Sequence, residues 1–168
     1  MQHDYINMLI SAAKQGRKNS FLDLCEFNLK KIYNFSLRML ANVELASIIT
    51  EEVFEQAWIN IKTVRDDVSF ELWLRGIAIY SILDEIRSHK RKSEFGIQDN
   101  PPKEFLNNFD KFLMTLDDKQ RIIFVLHEIE GYKYHEISEV LYEYDIEDIK
   151  ATNIATREKM GQDLADEL

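Results

Sequence analysis

Residues 49–92 read ITEEVFEQAWINIKTVRDDVSFELWLRGIAIYSILDEIRSHKRK. In the first half Ile49, Val53, Ala57 and Ile61 recur at four-residue steps, which sets them on one helical face with Phe54 and Trp58 beside it. Glu51, Glu52 and Glu55 make the opposite face acidic. The polar turn Val64–Val68 interrupts this pattern, and Ser69 stands where a helix cap is wanted. Beyond it Phe70, Trp73, Leu74, Ile77, Ile82 and Ile86 recur at helical spacing, largely in three- and four-residue steps, and the run closes on the cations Arg87, Lys90, Arg91 and Lys92. Two amphipathic helices joined by a polar turn, with no two-residue alternation, predict an all-α fold.

The same reading extends outward in both directions. Upstream, a helix over about 4–14 breaks near Gly16. A second runs from Ser20 to about Leu40, with Phe21, Leu24, Phe27, Ile32, Phe35 and Leu40 as its apolar members, and Asn42 caps the helix predicted over about 43–62. Downstream, residues 93–103, SEFGIQDNPPK, hold a glycine and a Pro-Pro pair that helix cannot pass through. Helices are then expected over about 104–114 and 118–129, with Gly131 as a stop, over 134–141, and from about 146. A short helix, a tight turn and a longer helix predict a helix-turn-helix. The expected architecture is two small helical domains, 1–92 and 104–168, joined by a short linker at 93–103.

Composition narrows the function classes. The 168 residues are 45% hydrophobic and 30% charged, enough to bury a core, and five glycines and two prolines punctuate too sparsely for a many-stranded sheet. No apolar run reaches the roughly 18 residues of a membrane span, and the N-terminus lacks the basic-then-apolar layout of a secretion signal, so a cytoplasmic protein without membrane insertion is expected. Cys25 is the single cysteine, which excludes an intrachain disulfide framework and reads as a small core residue. His127-Glu128 would need a histidine at the fifth position to form a helix-borne zinc site, and that position is Gly131. No nucleophile triad or glycine-rich phosphate loop can be assembled, so neither enzyme activity nor a cofactor is expected.

Charge is divided unevenly. Residues 1–92 carry 13 Lys+Arg against 12 Asp+Glu, whereas residues 93–168 carry 8 against 18, a net of −10. Affinity for nucleic acid rests on neutralised phosphates, so the second half is unsuited to nonspecific DNA binding.

Within residues 49–92 the set Glu52-Val53-Phe54, Ala57-Trp58, Phe70, Trp73-Leu74, Ile77-Ala78 and Asp84 resembles the second region of an RNA polymerase sigma factor of the extracytoplasmic-function group, in the sigma-70 superfamily. Residues 116–141, LDDKQRIIFVLHEIEGYKYHEISEVL, resemble the start of that group's fourth region through Leu116, Gln120-Arg121, Phe124, Leu126, Glu130-Gly131, Tyr134, Glu136-Ile137 and Leu141. The resemblance implies a non-catalytic initiation factor. Its first domain would grip the beta-prime clamp helices of core RNA polymerase and open promoter DNA near −10, and its second would meet the beta flap and read the −35 element. Ile48, Glu51, Glu52 and Glu55 would then face polymerase. Arg75, Ile79, Tyr80, Arg87, Lys90, Arg91 and Lys92 would face DNA in the melting helix. In the helix-turn-helix, Lys150, Thr152, Asn153 and Arg157 would face DNA or a docking partner, amid Glu143, Asp145, Glu147 and Asp148.

The chain departs from the group's pattern at contact positions. An aspartate and a glutamine of the group fall on Ile48 and Glu51, and two basic residues and an asparagine fall on Gly76, Ile79 and Tyr80. Weakened promoter reading is therefore expected, with a separately DNA-bound or nucleic-acid-guided protein supplying the address. One alternative is a sigma mimic that occupies an anti-sigma factor, and a weaker one is a helix-turn-helix repressor. Phe54, Trp58, Phe70 and Trp73 sit at core spacing and are expected to pack, while Tyr80 is open to either packing or stacking on an unpaired base.

Overall fold

In a computed structural model of the chain, the backbone is described over residues 2–93 and 108–166, and side chains over 4–88 and 108–163. The described residues contain helices and turns but no strand. The chain forms two compact units, Met1–Asp99 and Asn100–Leu168.

The first unit holds α1 (Gln2–Lys14), α2 (Lys18–Leu40), α3 (Val43–Asn60, continued by a 3₁₀ turn, Ile61–Thr63) and α4 (Phe70–Ser93). Gly16, at φ +88°, ends α1. Its N–H donates to the Ala13 carbonyl at 2.9 Å and the Arg17 N–H reaches back to Ala12 at 3.1 Å, a pairing that needs a left-handed residue between helix and loop. The Asn42 carboxamide caps α3 by accepting from Leu45 N–H at 3.0 Å, and Ser69 caps α4 by accepting from Leu72 N–H at 3.2 Å, as their positions predicted. Ala46, Ile49, Val53 and Ala57 form the buried face of α3, and Leu24, Ile32, Phe35 and Met39 of α2 are buried with them. From α4 come Phe70, Leu74, Ala78, Ile79, Ile82, Leu83 and Ile86. Cys25 is only half-buried, yet that burial pushes its thiol pKa up to about 11 and leaves it a poor nucleophile at neutral pH. Phe27 departs from expectation. It lies exposed, its ring edge-on to Tyr5 at 6.4 Å, while neighbouring Asn28 is buried and bonds the Leu24 carbonyl at 2.8 Å.

The second unit holds α5 (Asn108–Thr115), α6 (Asp118–Phe124), α7 (Tyr134–Val140) and α8 (Ile146–Asp166). The first residues of the helix expected from 104 lie outside the described residues, as does the linker at 93–103 apart from Ser93, which ends α4. Asp117 and Gln120 cap α6 reciprocally. The helix expected to 129 changes character on the way: Val125–Ile129 is a π turn, with Glu130 N–H bonding the Val125 carbonyl at 3.0 Å before Gly131 turns the chain at φ +76°. Ile122, Ile123, Leu126, Ile137, Leu141 and Ile149 make the core. Arg121 is buried among them because its guanidinium donates to the Leu116 carbonyl at 2.9 Å and to Asp118 at 2.5 Å.

Candidate functional site

The packing of α3 decides what its outer side can present. With Ala46, Ile49, Val53 and Ala57 turned inward, Glu51, Glu52 and Glu55 are exposed together with Ile48, which is 52% exposed. Ile59, 70% exposed, extends this stripe by one further turn. Sequence reasoning passed over Ile59. Its signal was there, since position 59 falls eleven residues after Ile48 and off the buried face.

On α4 the DNA-facing expectations divide. Tyr80 is 77% exposed, which leaves its ring open for stacking. Ile79 is 4% exposed and belongs to the core beside Ile82 and Leu83, so its expected contact with DNA is withdrawn. Gly76 is not kept small by packing: a Cβ built there meets nothing within 4 Å. Arg87 is half-buried, and the side chains of Lys90, Arg91 and Lys92 lie outside the described residues. Arg75 is engaged by Glu71 at 2.8 Å, and Glu71 also accepts from Lys31 of α2. The Lys31 hydrogen bond holds the Glu71 carboxyl below its ordinary pKa; partial burial opposes this, and the charges of Lys31 and Arg75 add to it. A carboxyl depressed in the folded state adds stability above its unfolded pKa and loses it as pH falls through the folded value. Glu71→Gln is therefore expected to flatten the acid limb of the stability profile below about pH 4.5, read by thermal melts across pH. An unchanged acid limb would remove the triad from the stability argument.

In the helix-turn-helix several of the expected contact residues have partners within the unit. Asn153, expected to face DNA, is 0% exposed. Its Nδ2 donates to Glu128 Oε1 at 2.7 Å and to the Tyr134 hydroxyl at 3.1 Å, tying α8 to the π turn and to α7, so a base-reading role is withdrawn. Tyr134 in turn stacks on His127 with ring centres 4.0 Å apart, and His127 Nδ1 lies 2.7 Å from the Tyr132 carbonyl. Thr152 is half-buried. Arg157 is exposed but sits 3.8 Å from Glu128, and Lys150 bonds Glu147 at 2.9 Å. Of the acids expected around the turn, Asp145 caps α8 by accepting from Asp148 N–H at 2.8 Å, and Asp148 pairs with Lys119 at 2.7 Å. Glu143 and Glu147 are exposed, Glu147 being the partner of Lys150.

Two family patterns fall on the two units. Sigma-70 region 2 matches residues 24–92, and Sigma-70 region 4 matches residues 106–157. The chain belongs to the sigma-70 family. Within it the likeness is to the extracytoplasmic-function group: the chain is 28% identical over 160 residues to the ECF RNA polymerase sigma factor SigW of Bacillus subtilis, covering 81% of this chain and 84% of the relative. Two solved structures share the fold. The sigma factor RpoE in complex with the anti-sigma factor NepR from Bartonella quintana aligns with a TM-score of 0.64 at 17% identity, over 86% of this chain and 96% of that one. CnrH in complex with the cytosolic domain of CnrY aligns at 0.60 and 17% identity, over 98% and 99%. In this sigma-70 family chain the region 2 match runs from residue 24 in α2 through α3 to residue 92 in α4, and the region 4 match takes in α5 to α7 and α8 as far as residue 157. Sigma-70 factors are initiation factors rather than enzymes. Among the described residues no helix is long and apolar enough to cross a membrane, and no three His, Cys, Asp or Glu side chains converge on a metal position.

Proposed function

We propose that this ECF-type sigma factor binds core RNA polymerase through the outer face of α3 and directs initiation, while reading little promoter sequence by itself. The exposed stripe Ile48, Glu51, Glu52, Glu55 carries the reading, because a row of carboxylates on a rigid helix suits a basic coiled coil such as the clamp helices. Tyr80 and the cations at the end of α4 then hold the melted −10 strand, and the second unit lies toward the beta flap. The burial of Ile79, the internal pairing of Arg75 and the structural use of Asn153 support weak autonomous reading, with a partner supplying part of the address. The same three observations favour the sigma-mimic reading as the alternative, in which an anti-sigma factor is the true partner.

Purified full chain and core polymerase decide between them. Co-elution and run-off transcription that changes less than about tenfold when the −35 element is scrambled are the expected results. Failure to co-elute, with tight binding to an anti-sigma factor, would establish the mimic. Efficient initiation by the two components alone, abolished by changing either promoter element, would remove the partner.

A further inference from the structure

A helix-turn-helix lays its second helix in the major groove, where amide and guanidinium groups read base edges. The outward line of α8 has other chemistry. Its inward side is Ile149, Asn153 and Thr156, all buried. Opposite them, at steps of four, three and four residues, stand Glu147, Ala151, Ile154 and Glu158, all exposed. Ile154 is 53% exposed. The cations beside this line, Lys150 and Arg157, each lie against a carboxylate, at 2.9 and 3.8 Å. A methyl and a branched apolar side chain set between two carboxylates offer no donor to a base, and the carboxylates repel phosphate.

We propose that this line of α8 is a protein-docking surface, and that its occupant is a separate protein presenting an apolar groove rimmed by Lys and Arg. A helix laid in a groove uses anchors at this spacing. Ile154 with Ala151 would fill the groove, and Glu147 and Glu158 would meet its rim. The −10 charge of residues 93–168 favours approach to a basic surface and disfavours DNA at the same place. The structure thereby extends the expected docking surface from the turn, where Asp145 caps α8 and Asp148 pairs with Lys119, along the outward face of the helix, on which Glu147 also holds Lys150. This inference rests on the sigma-factor reading for its purpose, but not for its chemistry.

The test places a p-benzoylphenylalanine photocrosslinker at Ile154 of the full chain in the cells that make it, and in parallel at Glu55 on α3. The expected adduct at position 154 is a polypeptide outside the core polymerase, crosslinked within a segment containing Lys or Arg. That protein, once purified, should bind the full chain less tightly as salt rises, and at least tenfold less tightly to Ile154→Asp or to Glu147→Lys combined with Glu158→Lys. Ile154→Asp and Glu158→Lys change exposed side chains, so their melting should match the parent, whereas Glu147→Lys also gives up the Lys150 pair in the first turn of α8 and is read against Glu158→Lys alone. An adduct to DNA, an adduct to a polymerase subunit, or no adduct at position 154 overturns the proposal, as does a captured protein whose binding ignores these variants. Absence of a polymerase adduct at Glu55 counts instead against polymerase docking by α3, which keeps the two failures apart.

Discussion

Changing Glu51, Glu52 and Glu55 together to lysine is expected to weaken association of the full chain with core RNA polymerase by about a hundredfold or more. All three carboxylates stand on the exposed side of α3, and substitutions at such positions usually alter stability by no more than about 0.5 kcal/mol each. The fold should survive the change. At a basic coiled coil, by contrast, three attractions become repulsions, and like-charge juxtaposition costs several kcal/mol against about 1.4 kcal/mol per tenfold in affinity. Interferometry at two salt concentrations, with a melt of each variant, separates the two effects. Ile48→Asp is the companion: 52% exposed, it should leave the melt unchanged and strengthen docking. Association within threefold of the parent for the triple variant would remove α3 from the polymerase interface.

The inner faces of the helices were legible because burial imposes a period. Ile49, Val53 and Ala57 are buried on the face their four-residue steps predict, and Asn42 and Ser69 cap the helices they precede. Caps and faces are local in the chain. Phe27 shows where local reading ends, since an apolar residue at a plausible step is exposed while Asn28 beside it is buried, its carboxamide on the Leu24 carbonyl. The π turn at Val125–Ile129 has no compositional signature of its own.

The exposure of Glu51, Glu52 and Glu55 on α3 was legible, whereas Ile79 on α4 and Asn153 on α8 were taken for exposed residues and are buried. Aligning positions with a family pattern says which residue stands at a contact position but not which way it turns. α4 buries a wide arc, with Ala78, Ile79, Ile82 and Leu83 all inside, so adjacent residues 79 and 80 take opposite fates. Asn153 was misread for a different reason. Its partners Glu128 and Tyr134 lie 25 and 19 residues earlier in the chain, and no periodicity announces a carboxamide whose Nδ2 is held by tertiary neighbours while its buried Oδ1 has no partner.

That internal role makes Asn153 the sharpest test of how the second unit works. Asn153→Ala removes the donor shared by Glu128 and Tyr134, together with its own buried, unpartnered Oδ1, and leaves the Glu128 carboxylate 3.8 Å from Arg157. A hydrogen bond to a charged group contributes about 1.5–3 kcal/mol, offset in part here by the loss of the unpartnered Oδ1. In a unit of this size each kcal/mol moves the melting midpoint by roughly 4–8 °C. The expected result is a midpoint lowered by about 5–15 °C on that scale, accompanied by loss of hydrogen-exchange protection in α7 and α8 while α1–α4 keep theirs. A residue whose task was reading bases would behave in the opposite way: its truncation would spare exchange and melting and would lower affinity for one promoter sequence over others. Unchanged protection in α7 and α8, with a sequence-dependent loss of transcription, would return Asn153 to the DNA interface and reopen α8 as a reading helix.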